Sequence, residues 1–278
     1  MSSSTDPFQI PPRPSQSLEG RVAIVTGAGS RANGIGNGRA ASILLAEAGA
    51  NVVCLDMNSE WADVTISMIE KEFGQGRAVS LQGDVTKESD CKRAVETALG
   101  TYGRLDILVN NVGIGGPDGT AVDVDPAQWA KGLEVNVTSM MLMTKYAVPA
   151  MERNSLHPIS GRGNIVNISS VAGLMGGTSM LLHAPSGIRV NCVCPGMLYT
   201  PMLYSGGMTD DVRAARRDCS LLKTEGNGWD CGCAVRFFAS DQARWMTGVI
   251  LPVDAGSTAA PAGEGMGMGL SSSSQGTK

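Results

Sequence analysis

Between Arg21 and Gly256 the chain repeats one pattern: a short β-branched run ending at Gly, Asp or Asn, then a longer stretch with apolar residues at helical spacing. "RVAIVTG", "NVVCLD", "RAVSLQGDV", "LDILVNNVG", "GNIVNISS", "GIRVNCVCPG" and "GVILPVDAG" are the predicted strands. The first, "RVAIVTG", is a β-branched run without alternation, as in a strand buried on both faces. "GRAASILLAEAGA", "EWADVTISMIEKEFG", "KESDCKRAVETALGTYG", a long segment from about Asp125 to Met151, "TDDVRAARRD" and "GWDCGCAVRFFASDQ" are the predicted helices. Gly74 is placed to cap the second helix, and Asp125 to cap the long one with Pro126 in its first turn. Strand and helix in alternation imply a doubly wound parallel sheet in a three-layer α/β/α arrangement. Ligands of such sheets bind beyond the carboxyl ends of the strands, where strand order reverses, so every motif that follows a strand points into one crevice.

The pattern marks out one domain over residues 19–256. Residues 1–18, polar and Pro-rich, are expected to be a disordered leader, and residues 257–278, rich in Gly, Ser, Ala and Met, a disordered tail. The leader has neither a basic start nor an apolar run and does not read as a secretory signal. No stretch approaches the roughly 18 apolar residues of a membrane span. A net charge of −4 without a basic run argues against nucleic acid. Seven scattered cysteines, several inside apolar runs, fit reduced thiols in a cytoplasmic protein. "CVC" and "CGC" lack the usual zinc spacing and only two histidines exist, so no metal site is expected.

"TGAGSRANGIGNGRA" follows the first strand and opens the first helix. Glycines there let backbone approach a pyrophosphate, and the helix N-terminus supplies free N–H groups. The loop is long, with six residues between Gly27 and Gly34. Asp56 ends the second strand. A carboxylate there accepts the adenosine ribose hydroxyls and repels a 2′-phosphate, which favours NAD; Arg31 in the lengthened loop is the residue that could admit NADP instead.

Read together, these residues resemble the short-chain dehydrogenase/reductase family over about residues 18–256, with one gap. "TG…GIG" carries the glycine motif through Gly27, Gly34, Ile35 and Gly36. "GDV" matches the adenine contact, at Asp84 and Val85. "NNVG" stands where the family has Asn-Asn-Ala-Gly, so Asn111 and Gly113 are expected to line the cofactor, while Asn110 bridges strands. "VNV" puts Asn136 where the family organises a proton-relay water, and "NISSVAG" puts Ser170 at the catalytic serine. "PGMLYTPM", with Pro195, Gly196 and Thr200, matches the segment that covers the nicotinamide. The resemblance implies a Rossmann-like fold, an NAD(P)-dependent oxidoreductase acting on a small-molecule alcohol or ketone, and a homo-oligomer.

The family's chemistry also needs a tyrosine acid and, one helical turn later, a lysine that lowers its pKa. In the family this pair begins thirteen residues after the serine. Here that position is His183, and four residues further is Gly187, so the motif reads "HAPSG". Histidine is a competent general acid, and His183 is one reading. The other is an internal deletion, because "APSGIRVN" looks like the segment that normally follows the missing helix. The junction then lies near Leu182 and His183, one crossover helix is missing or shortened, and Tyr and Lys went with it. On that reading the chain is catalytically impaired, and oligomer assembly through the lost helix is compromised. A non-catalytic NAD-binding protein, or a defective splice or gene-model product, are the alternatives. Residues 114–122, 171–182 and 198–225 are expected to set specificity, and their Gly, Met and Leu suggest an apolar substrate of small or medium size.

Overall fold

The computed structural model describes residues 14–31, 34–115, 124–157, 161–170, 187–205 and 207–259. Seven strands form one sheet in the order β3-β2-β1-β4-β5-β6-β7. They are β1 (Val22–Thr26), β2 (Asn51–Asp56), β3 (Ala78–Gln82), β4 (Ile107–Asn110), β5 (Gly163–Ile168), β6 (Ile188–Pro195) and β7 (Ile250–Val253). Every pairing is parallel. Strand order reverses between β1 and β4, the point at which sheets of this kind bind their ligands.

The helices divide between the two faces. On one lie α1 (Asn37–Glu47), α2 (Ser59–Phe73) and a helix late in the chain, Gly228–Ala239. They share a core with Ala23 and Val25 of β1. On the other lie α3 (Glu88–Tyr102), α4 (Pro126–Leu133) and α5 (Ser139–Glu152). Residues of α3 and α5 pack there against Val22 and Ile24. Successive β1 residues therefore serve opposite cores, which is why the strand is apolar from Val22 to Val25. Two short helices follow β6: α6 (Pro201–Tyr204) and α7 (Asp210–Asp218); Gly228–Ala239 is then α8.

Local chemistry sets the helix ends. Asn58 accepts the Trp61 amide at 3.2 Å to start α2, and Gly74 ends it at φ +93°. Asp125 accepts the Ala127 amide at 3.0 Å, with Pro126 in the first turn of α4. Asn227 and Asp230 form a reciprocal capping box at the start of α8.

Four expectations are corrected. The long helix over 125–151 is not uniform: α4 and α5 are joined by a π-helical turn, Glu134–Thr138, centred on Asn136. The stretch expected as leader is packed from its last residues. Leu18 is fully buried and its amide donates to Ala48 O at 2.7 Å, and burial of a leucine contributes about 1.5–3 kcal/mol. At the other end Ser257 and Thr258 bond to the Asp254 carboxylate, so order continues past residue 256. Finally, "GDV" lies beyond β3, where the Gly83 amide donates to Asp56 O at 2.9 Å. Among the described residues no helix is long and apolar enough to cross a membrane.

β5 and β6 pair in parallel from Gly163↔Ile188 to Ile168↔Val193. Residues 169–187 therefore make a crossover connection. Within it residues 171–186, which include Leu182, His183 and the expected specificity stretch 171–182, lie outside the described residues, as do residues 1–13, 116–123 and 260–278.

Candidate active site

At the exit of β1 the chain turns at Gly27 with φ +63°, a conformation open to glycine. α1 then packs so tightly on this turn that a Cβ on Gly38 would overlap the Gly27 carbonyl. Asn111, at the exit of β4, donates its side-chain amide to Thr26 O and Gly27 O, each at 3.0 Å. Its own backbone N–H goes to Thr26 Oγ1 at 2.9 Å. The side chain expected to line a cofactor thus spends its donors tying the two central strands together beneath the glycine loop. Asn110 bridges β4 to β5 as expected, donating to Asn167 Oδ1 at 2.9 Å.

Asp56 is 8% exposed at the end of β2. One carboxylate oxygen accepts the Gly29 amide and the other the Asn58 amide, both at 2.9 Å. Each carboxylate oxygen has a second lone pair for a further donor. The acid expected to read a ribose is therefore also a strut of the glycine loop.

Arg39, which the sequence reading passed over, is 1% exposed on α1 beside this strut. It donates Nη1 to Gly34 O at 2.6 Å, Nη2 to Trp61 O at 3.2 Å and Nε to Thr65 Oγ1 at 3.0 Å. Burial lowers its pKa, opposed by the charge of Asp56 and by Tyr204. Two polar atoms here, Ser30 Oγ of the loop and Asn37 Oδ1 at the start of α1, are buried without a hydrogen-bond partner among the described residues. Ordinary folding seldom leaves such atoms unpaired. A bare glycine turn, a helix N-terminus at Gly36, an unpaired hydroxyl and a buried carboxylate fit a dinucleotide. Ile35 and Gly36 lie under α8, whose Gly228 is pressed against the Ile35 carbonyl.

Asp84 accepts the Thr86 amide at 3.0 Å and hydroxyl at 2.7 Å. Burial raises its pKa, but those bonds, with Lys87 and Lys131, outweigh it and hold the carboxyl below the usual range. Val85 is buried in the α3–α5 core. Gly113 passes beside Asn136, whose side chain accepts the Ile114 amide at 2.8 Å and donates to Ile114 O at 3.0 Å. Asn136 therefore acts as a clamp on the β4 exit loop, with both ends of its amide in use.

Ser170 is exposed just past the carboxyl end of β5, and Ser169 before it donates its amide to Val193 O at 2.9 Å. Pro195 ends β6. Gly196 follows where a Cβ would come within 2.6 Å of Asp254 Cβ. Thr200 is 9% exposed and caps α6, its carbonyl accepting the Leu203 and Tyr204 amides. α6 itself was not expected from the sequence. It brings Tyr204 onto the glycine loop.

The remaining groups fall elsewhere. Tyr102 bonds to Gly76 O, and Tyr146 to Glu88 at 2.6 Å. His157 pairs with Gly161 before β5, at the amino end of the sheet. Cys192 and Cys194 bring their sulfurs to 3.8 Å on one face of β6, and burial together with the neighbouring thiol pushes Cys192 up to about 12. Among the described residues no three metal-binding side chains gather.

Comparison with known proteins agrees with this architecture. Residues 21–182 match the family described as short chain dehydrogenase, and residues 181–258 match one described as enoyl-(acyl carrier protein) reductase. An uncharacterized oxidoreductase of Thermotoga maritima is 36% identical, over 87% of this chain and 99% of that protein. That alignment spans 269 residues, more than the share of this chain it covers, so part of the relative faces a gap here. A cis-4-hydroxycyclohexanecarboxylate dehydrogenase of Sinomonas cyclohexanicum is 34% identical over 86% of this chain and 97% of its own length. A 7alpha-hydroxysteroid dehydrogenase of Escherichia coli is 30% identical over 86% and 94%. A crystal structure of a short-chain dehydrogenase/reductase from Burkholderia xenovorans superposes with a TM-score of 0.77 at 36% identity, covering 87% of this chain and 98% of that one. With the sheet order, the glycine loop and these matches taken together, the chain belongs to the short-chain dehydrogenase/reductase family of NAD(P)-dependent oxidoreductases.

Proposed function

We propose that the crevice at the β1/β4 switch point holds a nicotinamide dinucleotide, NAD in preference to NADP, opposite an alcohol or ketone substrate. The observation that carries this is the glycine loop itself: Gly27, Gly34, Ile35 and Gly36 lead into α1, Asp56 is bonded to the loop, and Ser30 Oγ is buried with no partner among the described residues. When bound, the nicotinamide gives or takes the hydride. Asp56 accepts from the ribose and disfavours a 2′-phosphate. Asp84 and Val85 border the adenine side, and Asn111 and Gly113 shape the floor. Pro195, Gly196 and Thr200 cover the nicotinamide side and exclude water. Ser170 holds the substrate oxygen, and Asn136 positions the β4 exit loop.

The proton donor is the weak point. Positions thirteen and seventeen after Ser170 hold His183 and Gly187 in place of Tyr and Lys. We read this as an internal deletion at Leu182–His183. Two findings support it: the two family matches meet at residues 181–182, and the alignment to the T. maritima relative contains residues with no counterpart here. The chain then binds cofactor but turns over near background, and assembly through the lost helix is compromised. Its seven unpaired cysteines suit a reducing compartment such as the cytoplasm.

Titration of the full chain with NADH and NADPH, beside a hydride-transfer assay over a panel of apolar alcohols and ketones, tests the reading. NADH is expected to bind more tightly than NADPH, with turnover near background. Tighter NADPH binding would move the specificity to Arg31, and binding of neither would overturn the site. Robust turnover abolished by His183→Ala would replace the deletion with a histidine acid. Sequencing the transcript across Leu182–His183 separates a loss in the gene from an error of splicing.

A further inference from the structure

The segment after β6 does not stand clear of the glycine loop. α6 lays Pro201 and Tyr204 on Gly34, where a Cβ would overlap the Tyr204 hydroxyl and come within 2.9 Å of Pro201 Cγ. Glycines in such loops leave a bare face for close approach of a phosphate. At Gly34 the group that makes this approach is a phenol of the chain's own. Behind it, the Tyr204 ring packs on Tyr199 with centroids 4.7 Å apart. The Arg213 guanidinium covers the Tyr199 ring at 3.9 Å. Glu225 fixes Arg213 through two bonds of 2.6 and 2.5 Å. A continuous stack thus runs from α7 to the loop. Beside Gly34, Ser30 Oγ and Asn37 Oδ1 stay buried without a partner among the described residues, so the phenol does not satisfy them.

We propose that Tyr204 occupies the phosphate seat in the ligand-free protein, and that the Arg213–Tyr199–Tyr204 stack is a latch which an incoming dinucleotide must displace. The proposal rests on the dinucleotide reading of the loop. Apparent affinity is reduced by the fraction of molecules in which the latch is open, so loosening the latch tightens binding. The alternative, Tyr204 as a contact to the bound pyrophosphate, predicts the opposite sign.

The test compares the full-length chain with Tyr204→Ala and Tyr204→Phe, measuring NADH binding by fluorescence titration. The Ala variant is expected to bind about two- to tenfold more tightly, the fold-change that an aromatic contact of this kind is typically worth. The Phe variant, which keeps the stack but withdraws the hydroxyl from Gly34, is expected to gain less. A readout without cofactor accompanies it: limited trypsin digestion with mass spectrometry of cleavage after Arg216 and Arg217 in α7. The Ala variant should be cut several-fold faster there, because the far end of the stack is released. Equal cleavage rates, or weaker NADH binding by either variant, overturn the latch. If the unsubstituted chain binds NADH and the Ala variant binds no tighter, the latch fails alone. If neither binds NADH, the dinucleotide reading fails and takes the seat with it.

Discussion

Gly29 donates its amide to Asp56 Oδ2 at 2.9 Å, so the carboxylate that we propose selects the cofactor also holds the glycine loop. One substitution should therefore change two properties. Asp56→Ser removes a charge-assisted bond to a largely buried acceptor and is expected to cost about 1.5–3 kcal/mol in urea unfolding. It should also narrow the preference for NADH over NADPH, since the repulsion of a 2′-phosphate goes with the charge. Unchanged stability would mean that Gly29 finds another acceptor; an unchanged cofactor ratio would mean that Asp56 does not face the ribose.

Arg39 is the second strut. Its guanidinium serves Gly34 O, Trp61 O and Thr65 Oγ1 from a fully buried position, tying the loop to α2. Arg39→Ala strips both carbonyls of a charged donor and opens a cavity, for an expected loss of about 3 kcal/mol. Arg39→Lys keeps the charge without the planar fork and should lose about half of that. A loss below about 1 kcal/mol for Ala, read from denaturant midpoints, would show that the loop stands without it.

Much of this was legible because it is local. The strands announce themselves as unbroken apolar runs, and Asn58, Gly74 and Asp125 are caps whose chemistry needs only their neighbours. What escaped is tertiary. Nothing between residues 126 and 151 encodes the π turn; it accompanies the bonds from Asn136 to Ile114, a residue of a different element. The four residues of α6 are too few to show a period, so Tyr204 could not be brought to Gly34 from sequence. Asn111 and Val85 carry the family's motif, and the structure adds what the motif does not spell out: the first also ties β1 to β4, and the second also fills a core. A motif fixes where a residue lies, while its neighbours in space decide which of its atoms are free. Arg39 followed the glycine motif in plain view, but only the packing of α1 against α2 shows why an arginine is buried there.

Several carboxylates link stability to acid. Asp254 is raised by burial, but the Thr258 hydroxyl and amide, the Gly256 amide and the Ser257 hydroxyl bring it below its ordinary value. Asp84 is lowered in the same manner. Glu225 is lowered first by its bond to Arg213. A carboxylate whose folded pKa is depressed stabilises fully above its unfolded pKa of about 4, and that contribution is lost as pH falls through the folded value. Thermal stability should thus hold near neutrality and drop as pH falls below about 4. Asp254→Asn, followed by melting curves from neutral pH to acid, should flatten part of that fall. A slope identical to that of the unsubstituted chain would remove Asp254 from the account.

Asn136 offers a test of the clamp separate from chemistry. Asn136→Ala removes both bonds to Ile114 and is expected to cost about 1–2 kcal/mol. Amide exchange at Ile114 should accelerate with it. If exchange there is unaltered, the β4 exit loop is held by other contacts, and Asn136 plays no positioning part.

Inserting a family-like segment is the most direct test of the proposed deletion. On the deletion reading, a family-like stretch carrying Tyr-x-x-x-Lys and its helix, inserted between Leu182 and His183, would supply the lost crossover helix and bury further apolar surface against the sheet. Each 100 Å² of apolar surface so covered contributes about 2.5 kcal/mol before the cost of ordering the insert. Melting temperature and soluble yield should both rise. Turnover should rise by about 10²–10⁴-fold, the worth of a positioned acid, if Ser170 holds the substrate oxygen as proposed. The same insert with its tyrosine replaced by phenylalanine should keep the gain in stability and lose the gain in rate. An insert that improves neither stability nor turnover would mean the gap at Leu182–His183 is no simple deletion. An insert that stabilises without activating would place the defect outside the gap, in the loop that Asp56, Arg39 and Tyr204 hold.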